Sequence, residues 1–144
     1  MKAIAIIPAR SGSKGLKDKN IKMLCGKPLL SYTIEAAKAS GCFDEIMVST
    51  DSKAYAQIAK DWGASVPFLR SPALATDTAS TWDAVKEVLA FYKDQGRDFD
   101  AVALLQPTSP LRTAADIQAG FALMNETFPK TKEAFIHLQN SICI

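Results

Sequence analysis

Short apolar runs alternate with helical periodicities four times along this 144-residue chain, and that alternation narrows its fold more than any other feature. Residues 2–8 read K-A-I-A-I-I-P, an apolar run of strand length. Pro28 can open a helix at its first turn. Leu29, Leu30, Thr33, Ile34, Ala36 and Ala37 then recur at helical spacing, and Gly41 is a natural stop. Residues 45–50 read as a second strand. Asp51 or Ser52 can cap the next helix, which carries Tyr55, Ile58, Ala59 and Trp62 and ends at Gly63. Residues 65–69, S-V-P-F-L, read as a third strand that Pro67 assigns to a sheet edge. A long helix is expected over 80–95, with Trp82, Val85, Val88, Leu89 and Tyr92 on one face. Residues 100–105 give a fourth strand, which enters the sharp turn 106–112 and then a helix over about 113–125.

This order predicts an α/β fold, a Rossmann-like parallel sheet with helices on both faces. Right-handed crossovers bring every post-strand loop to one sheet edge, and ligands of such sheets bind where the strand order reverses. If the first and fourth strands are neighbours, the loops 10–20 and 106–112 face one crevice.

The loop after the first strand carries the chemistry. Residues 9–20 read A-R-S-G-S-K-G-L-K-D-K-N, with two glycines and four cations. Small residues let backbone N–H groups approach a ligand closely, and cations neutralise phosphate, so the loop suits a nucleoside triphosphate. Seven of the chain's 17 Lys and Arg lie in residues 1–27 against one acid, Asp18, although the net charge is only +2. Nucleic-acid binders spread their cations along a face among stacking aromatics. Here no aromatic residue precedes Tyr32, so a small polyanion is favoured and no nucleic acid is expected.

With 48% apolar and 22% charged residues, the chain has the make-up of one globular domain. No apolar run approaches the ~20 residues of a membrane span, and no signal-peptide pattern opens the chain. A cytoplasmic protein with no membrane partner is expected. Cys25, Cys42 and Cys143 are odd in number and unclustered, which suggests neither a disulfide framework nor a zinc site. His137 is the only histidine. The first loop is not a Walker A motif, since Gly15 and Leu16 follow Lys14, nor is it a G-x-G-x-x-G dinucleotide loop.

The segments Ile7-Pro8-Ala9-Arg10-Ser11-Gly12-Ser13-Lys14-Gly15-Leu16, Lys19-Asn20-Ile21 and Gly26-Lys27-Pro28-Leu29 closely resemble the opening of the acylneuraminate cytidylyltransferases, the CMP-sialic acid synthetases. The resemblance runs on through Val48-Ser49-Thr50-Asp51-Ser52, Val66-Pro67-Phe68-Leu69-Arg70, Leu74-Ala75-Thr76-Asp77-Thr78-Ala79-Ser80 and Gln106-Pro107-Thr108-Ser109-Pro110-Leu111-Arg112. It covers residues 1 to about 124, with Lys17 standing where the family often has proline. It implies a nucleotide-diphospho-sugar transferase-like fold and transfer of a cytidylyl group from CTP, with Mg²⁺ or another divalent cation, to a sialic-acid-like nonulosonic acid. The resemblance makes Arg10, Lys14 and Lys19 the phosphate ligands and catalytic cations, with Ser13 assisting. It sets Asn20 near the ribose, gives Arg70, Ala79 and Ser80 to the cytosine, and gives Gln106, Thr108 and Ser109 to the acceptor sugar.

Plainer roles stand beside these. Asp51 is expected mainly as a helix cap, Asp77 as a cap or a loop-ordering residue, Ser109 as a turn cap and Arg112 as a ligand or loop contact. The 3-deoxy-manno-octulosonate cytidylyltransferases are a weaker match, because their first loop carries Ser-Thr-Arg where this one has Gly-Ser-Lys-Gly. The resemblance fades after Met124, dividing the chain into a nucleotide-binding domain, 1–124, and an atypical tail of unknown role, 125–144. It implies that the family's metal-binding aspartates and dimerisation segment lie further on. After Arg112 the acids are Asp116, Glu126 and Glu133, none of which matches, so the metal ligands stay unassigned. A C-terminally truncated chain, a non-catalytic CTP-binding fragment, is therefore the alternative to an active enzyme. A homodimer is the assembly to test for.

Overall fold

A computed structural model describes residues 2–12, 15–127 and 134–138, of which 127 and 134–138 are described by their backbone alone. Strand β1 (Ala3–Pro8) is followed by a small antiparallel hairpin, β2 (Met23–Leu24) with β3 (Lys27–Pro28), then helix α1 (Leu29–Ser40) and strand β4 (Glu45–Ser49). Helices α2 (Lys53–Asp61) and α3 (Thr81–Asp94) precede strand β5 (Ala101–Leu105), and helix α4 (Ala114–Thr127) precedes strand β6 (Ala134–Leu138). The four long strands form one parallel sheet in the order β4-β1-β5-β6.

β1 lies inside that sheet, which is why its sequence is a continuous apolar run rather than an alternating one. Its side chains still divide by parity. Ala3, Ala5 and Ile7 join a core with Leu30 and Ile34 of α1, Ala59 of α2 and Ile117 of α4. Ile4 and Ile6 join a second core with Met47, Val102 and Leu104 and with Val85, Val88 and Tyr92 of α3. Helices thus cover both faces, as the alternation predicts. Trp82 departs from the expected apolar face of α3 and is 44% exposed.

Two expectations about strands need correction. Residues 65–69 form no strand. Ser65 alone bridges to the edge of β4, its N–H donating to the Ile46 carbonyl (2.8 Å) while its own carbonyl accepts from Val48 N–H (3.0 Å). Pro67, two residues on, has no N–H to continue the ladder. The backbone returns to this side at Arg70, whose N–H donates to the Thr50 carbonyl at 2.7 Å. Conversely, the segment 125–144 supplies β6, which extends the sheet beyond β5. Five apolar and polar residues behind a Lys-Thr-Lys-Glu run carry too little pattern to announce a strand. Pro28 is also displaced from its expected place. It precedes the first turn of α1 with extended ψ of 141°, closing the hairpin instead.

Candidate functional site

The chain reverses its direction of travel across the sheet at β1. The next long strand, β4, pairs on one side of it and β5 on the other, so the loops leaving β1 and β5 diverge over the sheet's carboxyl edge. A cleft of about 260 Å³ opens there. It is lined by Pro8, Arg10, Lys19 and Asn20 from the first loop, Gln106, Pro107 and Thr108 from the turn after β5, and Arg70 and Thr81. Three of the nine lining side chains are cations and none is an acid. The two loops that the sequence places at one crevice do share it.

The first loop is tied down at several points. Asn20 is buried, and its Nδ2 donates to the Arg10 carbonyl at 3.2 Å. Asp18 adopts a left-handed backbone (φ 53°) and accepts from the Tyr55 hydroxyl on α2 at 2.7 Å. Burial and that carboxylate push the Tyr55 phenol well above its ordinary range. Ser11 donates both its backbone N–H and its hydroxyl to the two oxygens of Asp51, each at 2.8 Å. Burial by itself would raise the Asp51 carboxyl, but these two bonds and nearby Arg70 outweigh it and hold it below the usual value. Asp51 is therefore not the expected helix cap. Ser52 caps α2, accepting from Tyr55 N–H, and Asp51 is freed to hold the loop.

The cations differ in setting. Arg10 donates from Nη1 to Asp77 at 2.5 Å and, from the same nitrogen, to the Gly12 carbonyl. Arg70 is buried; its Nε donates to Ser49 Oγ and its Nη2 to the Ser49 carbonyl, both at 2.9 Å. Burial lowers the Arg70 pKa, with the charges of Asp51 and Glu87 opposing and that of Arg10 adding to the fall. Arginine remains charged under these conditions. Lys19 opens a single 3-10 turn, Lys19–Ile21, that faces the same cleft.

At the other wall, Ser109 N–H donates to the Gln106 carbonyl and Arg112 N–H to the Ser109 carbonyl. Arg112 is buried and its Nη1 also donates to the Gln106 carbonyl at 3.3 Å, so of its two expected roles it takes the loop contact. Thr113 and Asp116 close a reciprocal cap at the start of α4, each side chain accepting the other's backbone N–H.

Of the residues singled out in the sequence, Arg10, Lys19, Asn20, Arg70, Gln106 and Thr108 come together in the cleft. Ala79, Ser80 and Ser109 are not among its lining residues. Ser80 instead caps α3, accepting from Trp82 N–H. Ser13 and Lys14 lie outside the described residues. Thr81 was missed. It is the first residue of α3, and no sequence pattern marks it as a lining residue.

The divalent cation implied by the resemblance finds no ready set of ligands. Among the described residues, no group of three or more His, Cys, Asp or Glu could hold a metal ion. The carboxylates nearest the first loop are already engaged, Asp77 by Arg10, Asp51 by Ser11 and Asp18 by Tyr55. These residues do not fit a protein-built metal site. Cys25 and Cys42 are free thiols, and no helix among the described residues is long and apolar enough to cross a membrane.

A parallel sheet with a cationic cleft at its switch point defines an α/β protein built to receive an anion. The chain belongs to the cytidylyltransferase family, whose sequence pattern matches residues 4–142. It is 51% identical over 118 residues to the CMP-N,N'-diacetyllegionaminic acid synthase of Legionella pneumophila, covering 82% of this chain and 51% of that one. It is 53% identical over 116 residues to the N-acylneuraminate cytidylyltransferase of Escherichia coli O18:K1:H7, covering 81% of this chain and 26% of that one. A solved structure of CMP:2-keto-3-deoxy-manno-octonic acid synthetase complexed with CTP shares the fold with a TM-score of 0.73 at 26% identity, over 88% of this chain and 48% of that one. The chain thus spans about half the length of the legionaminic acid synthase, and a smaller share of the Escherichia coli relative.

Proposed function

We propose that this chain supplies the CTP-holding part of a cytidylyltransferase that activates a sialic-acid-like nonulosonic acid. In that reaction the anomeric hydroxyl of the sugar attacks the α-phosphate of CTP and loses its proton. The P–O bond to the β-phosphate breaks, and pyrophosphate leaves. The observation that carries the reading is the cleft at the switch point, with Arg10, Lys19 and Arg70 in its walls and no acid among them.

Nucleotidyl transfer asks a protein mainly to position the reactants and to neutralise the charge spread over the phosphate oxygens. On this reading Arg10 and Lys19, with Lys14 and Ser13, hold the triphosphate. An arginine fork and a lysine point charge are the residue types this work needs. Asn20 is assigned to the ribose side. Arg70, with Ala79 and Ser80, is assigned to the cytosine, and Gln106, Thr108 and Ser109 to the acceptor sugar. A divalent cation is proposed to enter on the oxygens of CTP itself, and the setting to be the cytoplasm, where CTP is made. CTP binding without transfer is a second reading, favoured by the chain's spanning about half the length of the legionaminic acid synthase it matches.

The test has two arms. Calorimetric titration with CTP, UTP and ATP should give clear preference for CTP, and equal affinity for all three would remove the cytosine assignment. Incubation with CTP and N-acetylneuraminate, resolved by anion exchange, separates the readings. Formation of the CMP-sugar establishes transfer, and tight CTP binding with no product establishes the binding module.

A further inference from the structure

We propose that Asp77 is a positioning residue that clamps the Arg10 guanidinium from behind, so that its other edge is presented to a phosphate group. The proposal rests on the nucleotide reading of the cleft and adds a residue to it.

Arginine carries five N–H donors in a planar fork. Nη1 holds two of them, and both described bonds of the Arg10 side chain leave from that one nitrogen, to Asp77 Oδ1 and to the Gly12 carbonyl. One acceptor belongs to the arginine's own loop. The other lies 67 residues further on, in the segment between the 3-10 turn Pro72–Leu74 and α3. Two acceptors on one nitrogen fix both the position and the plane of the guanidinium. Nε–H and one N–H of Nη2 then form the parallel pair that matches two oxygens of a phosphate. Arg10 lines the cleft while Asp77 does not, so the carboxylate grips the face turned away from a ligand.

Stability alone does not account for the pair. The side chains are 26% and 39% exposed, and an ion pair so open to water contributes little to folding. Its larger effect is to take one long, rotamer-rich side chain out of many conformations before a ligand arrives. The competing arrangement has Asp77 occupying the guanidinium in the empty protein and leaving when phosphate binds. The two make opposite predictions. Loss of the carboxylate weakens binding if it positions Arg10 and tightens binding if it competes.

The experiment compares the wild-type chain with Asp77→Asn, Asp77→Glu, Arg10→Ala and the Asp77→Asn/Arg10→Ala double variant. Affinities for CTP and for cytidine are measured by calorimetry, with thermal midpoints as the check on folding. Asp77→Asn is expected to bind CTP about tenfold more weakly, the scale of one charge-assisted hydrogen bond, with cytidine affinity unchanged. Asp77→Glu should recover part of the loss, and the double variant should bind no more weakly than Arg10→Ala alone. Tighter or unchanged CTP binding in Asp77→Asn, or losses that add in the double variant, would overturn the proposal. A second readout needs no nucleotide. Phenylglyoxal should modify Arg10 several-fold faster in Asp77→Asn, as read by peptide mapping, because the guanidinium is released. If the wild-type chain fails to bind CTP, the nucleotide reading falls. The modification rate then decides the clamp by itself: a faster rate upholds it and an unchanged rate removes it.

Discussion

Asp51 shows how much one side chain's role depends on what the fold brings to it. Its position before a helix suggests a cap, and the neighbouring Ser52 takes that role. Asp51 instead reaches 40 residues back to receive the N–H and hydroxyl of Ser11. The consequence is measurable in acid. A carboxyl whose folded value lies below its ordinary 3.8 contributes its stabilisation in full above that value and loses it as the pH falls through the lower folded value. Asp51→Asn is therefore expected to flatten the acid limb of stability below that ordinary value and to lower stability at neutral pH by about 1 kcal/mol. Urea unfolding at several pH values checks this, and an acid limb that stays as steep in the variant would contradict it. At this scale the charge of the first loop was legible in the sequence. Its restraints were not, because Asp51 and Asp77 find their partners 40 and 67 residues away, and no local pattern encodes such a choice.

Among the elements, those with a cap and a periodicity were legible nearly to the residue. α3 runs over Thr81–Asp94, one residue inside the expected range at each end, because Ser80 is a strong cap and the apolar spacing is regular. The failures have two causes, shortness and a proline. β2 and β3 have two residues each, joined through Cys25 and Gly26, both at positive φ, and two residues cannot display an alternation. The five-residue stretch 65–69 could display one, but Pro67 made it misleading. α4 matters to the site although it does not line it, since Ile117 is fully buried behind the sheet and the turn 106–112 leads directly into the helix. Ile117→Ala is expected to destabilise the chain by about 2–5 kcal/mol through lost burial and the cavity left behind. Chemical denaturation measures that. A loss under about 1 kcal/mol would mean that α4 packs more loosely than its core contacts indicate.

For the whole molecule, the fold class followed from alternation alone, but the strand order did not. Nothing in the pattern says that β1 lies between β4 and β5, and the crevice was legible only on the condition that the first and fourth expected strands pair. They do, in the register that sets Ile6 beside Leu104. That register has a bearing on time as well as space. The two walls of the cleft come from distant stretches of chain, so the pocket cannot be assembled from a local hairpin or a single crossover. Its completion waits on closure of a long loop, the slow kind of step in folding. A nucleotide bound across β1 and β5 recognises only the closed state, and at a hundred times its dissociation constant it stabilises that state by about 2.7 kcal/mol. Hydrogen exchange at the amides of Ile6 and Leu104 should then slow together on addition of CTP, by about a hundredfold where exchange proceeds through global opening. Slowing confined to the first loop would show that the sheet opens without releasing the ligand. If the two strands slow as one, the nucleotide is also a chaperone for the chain that binds it, because whatever fills the cleft keeps the longest-range pairing of the sheet from coming apart.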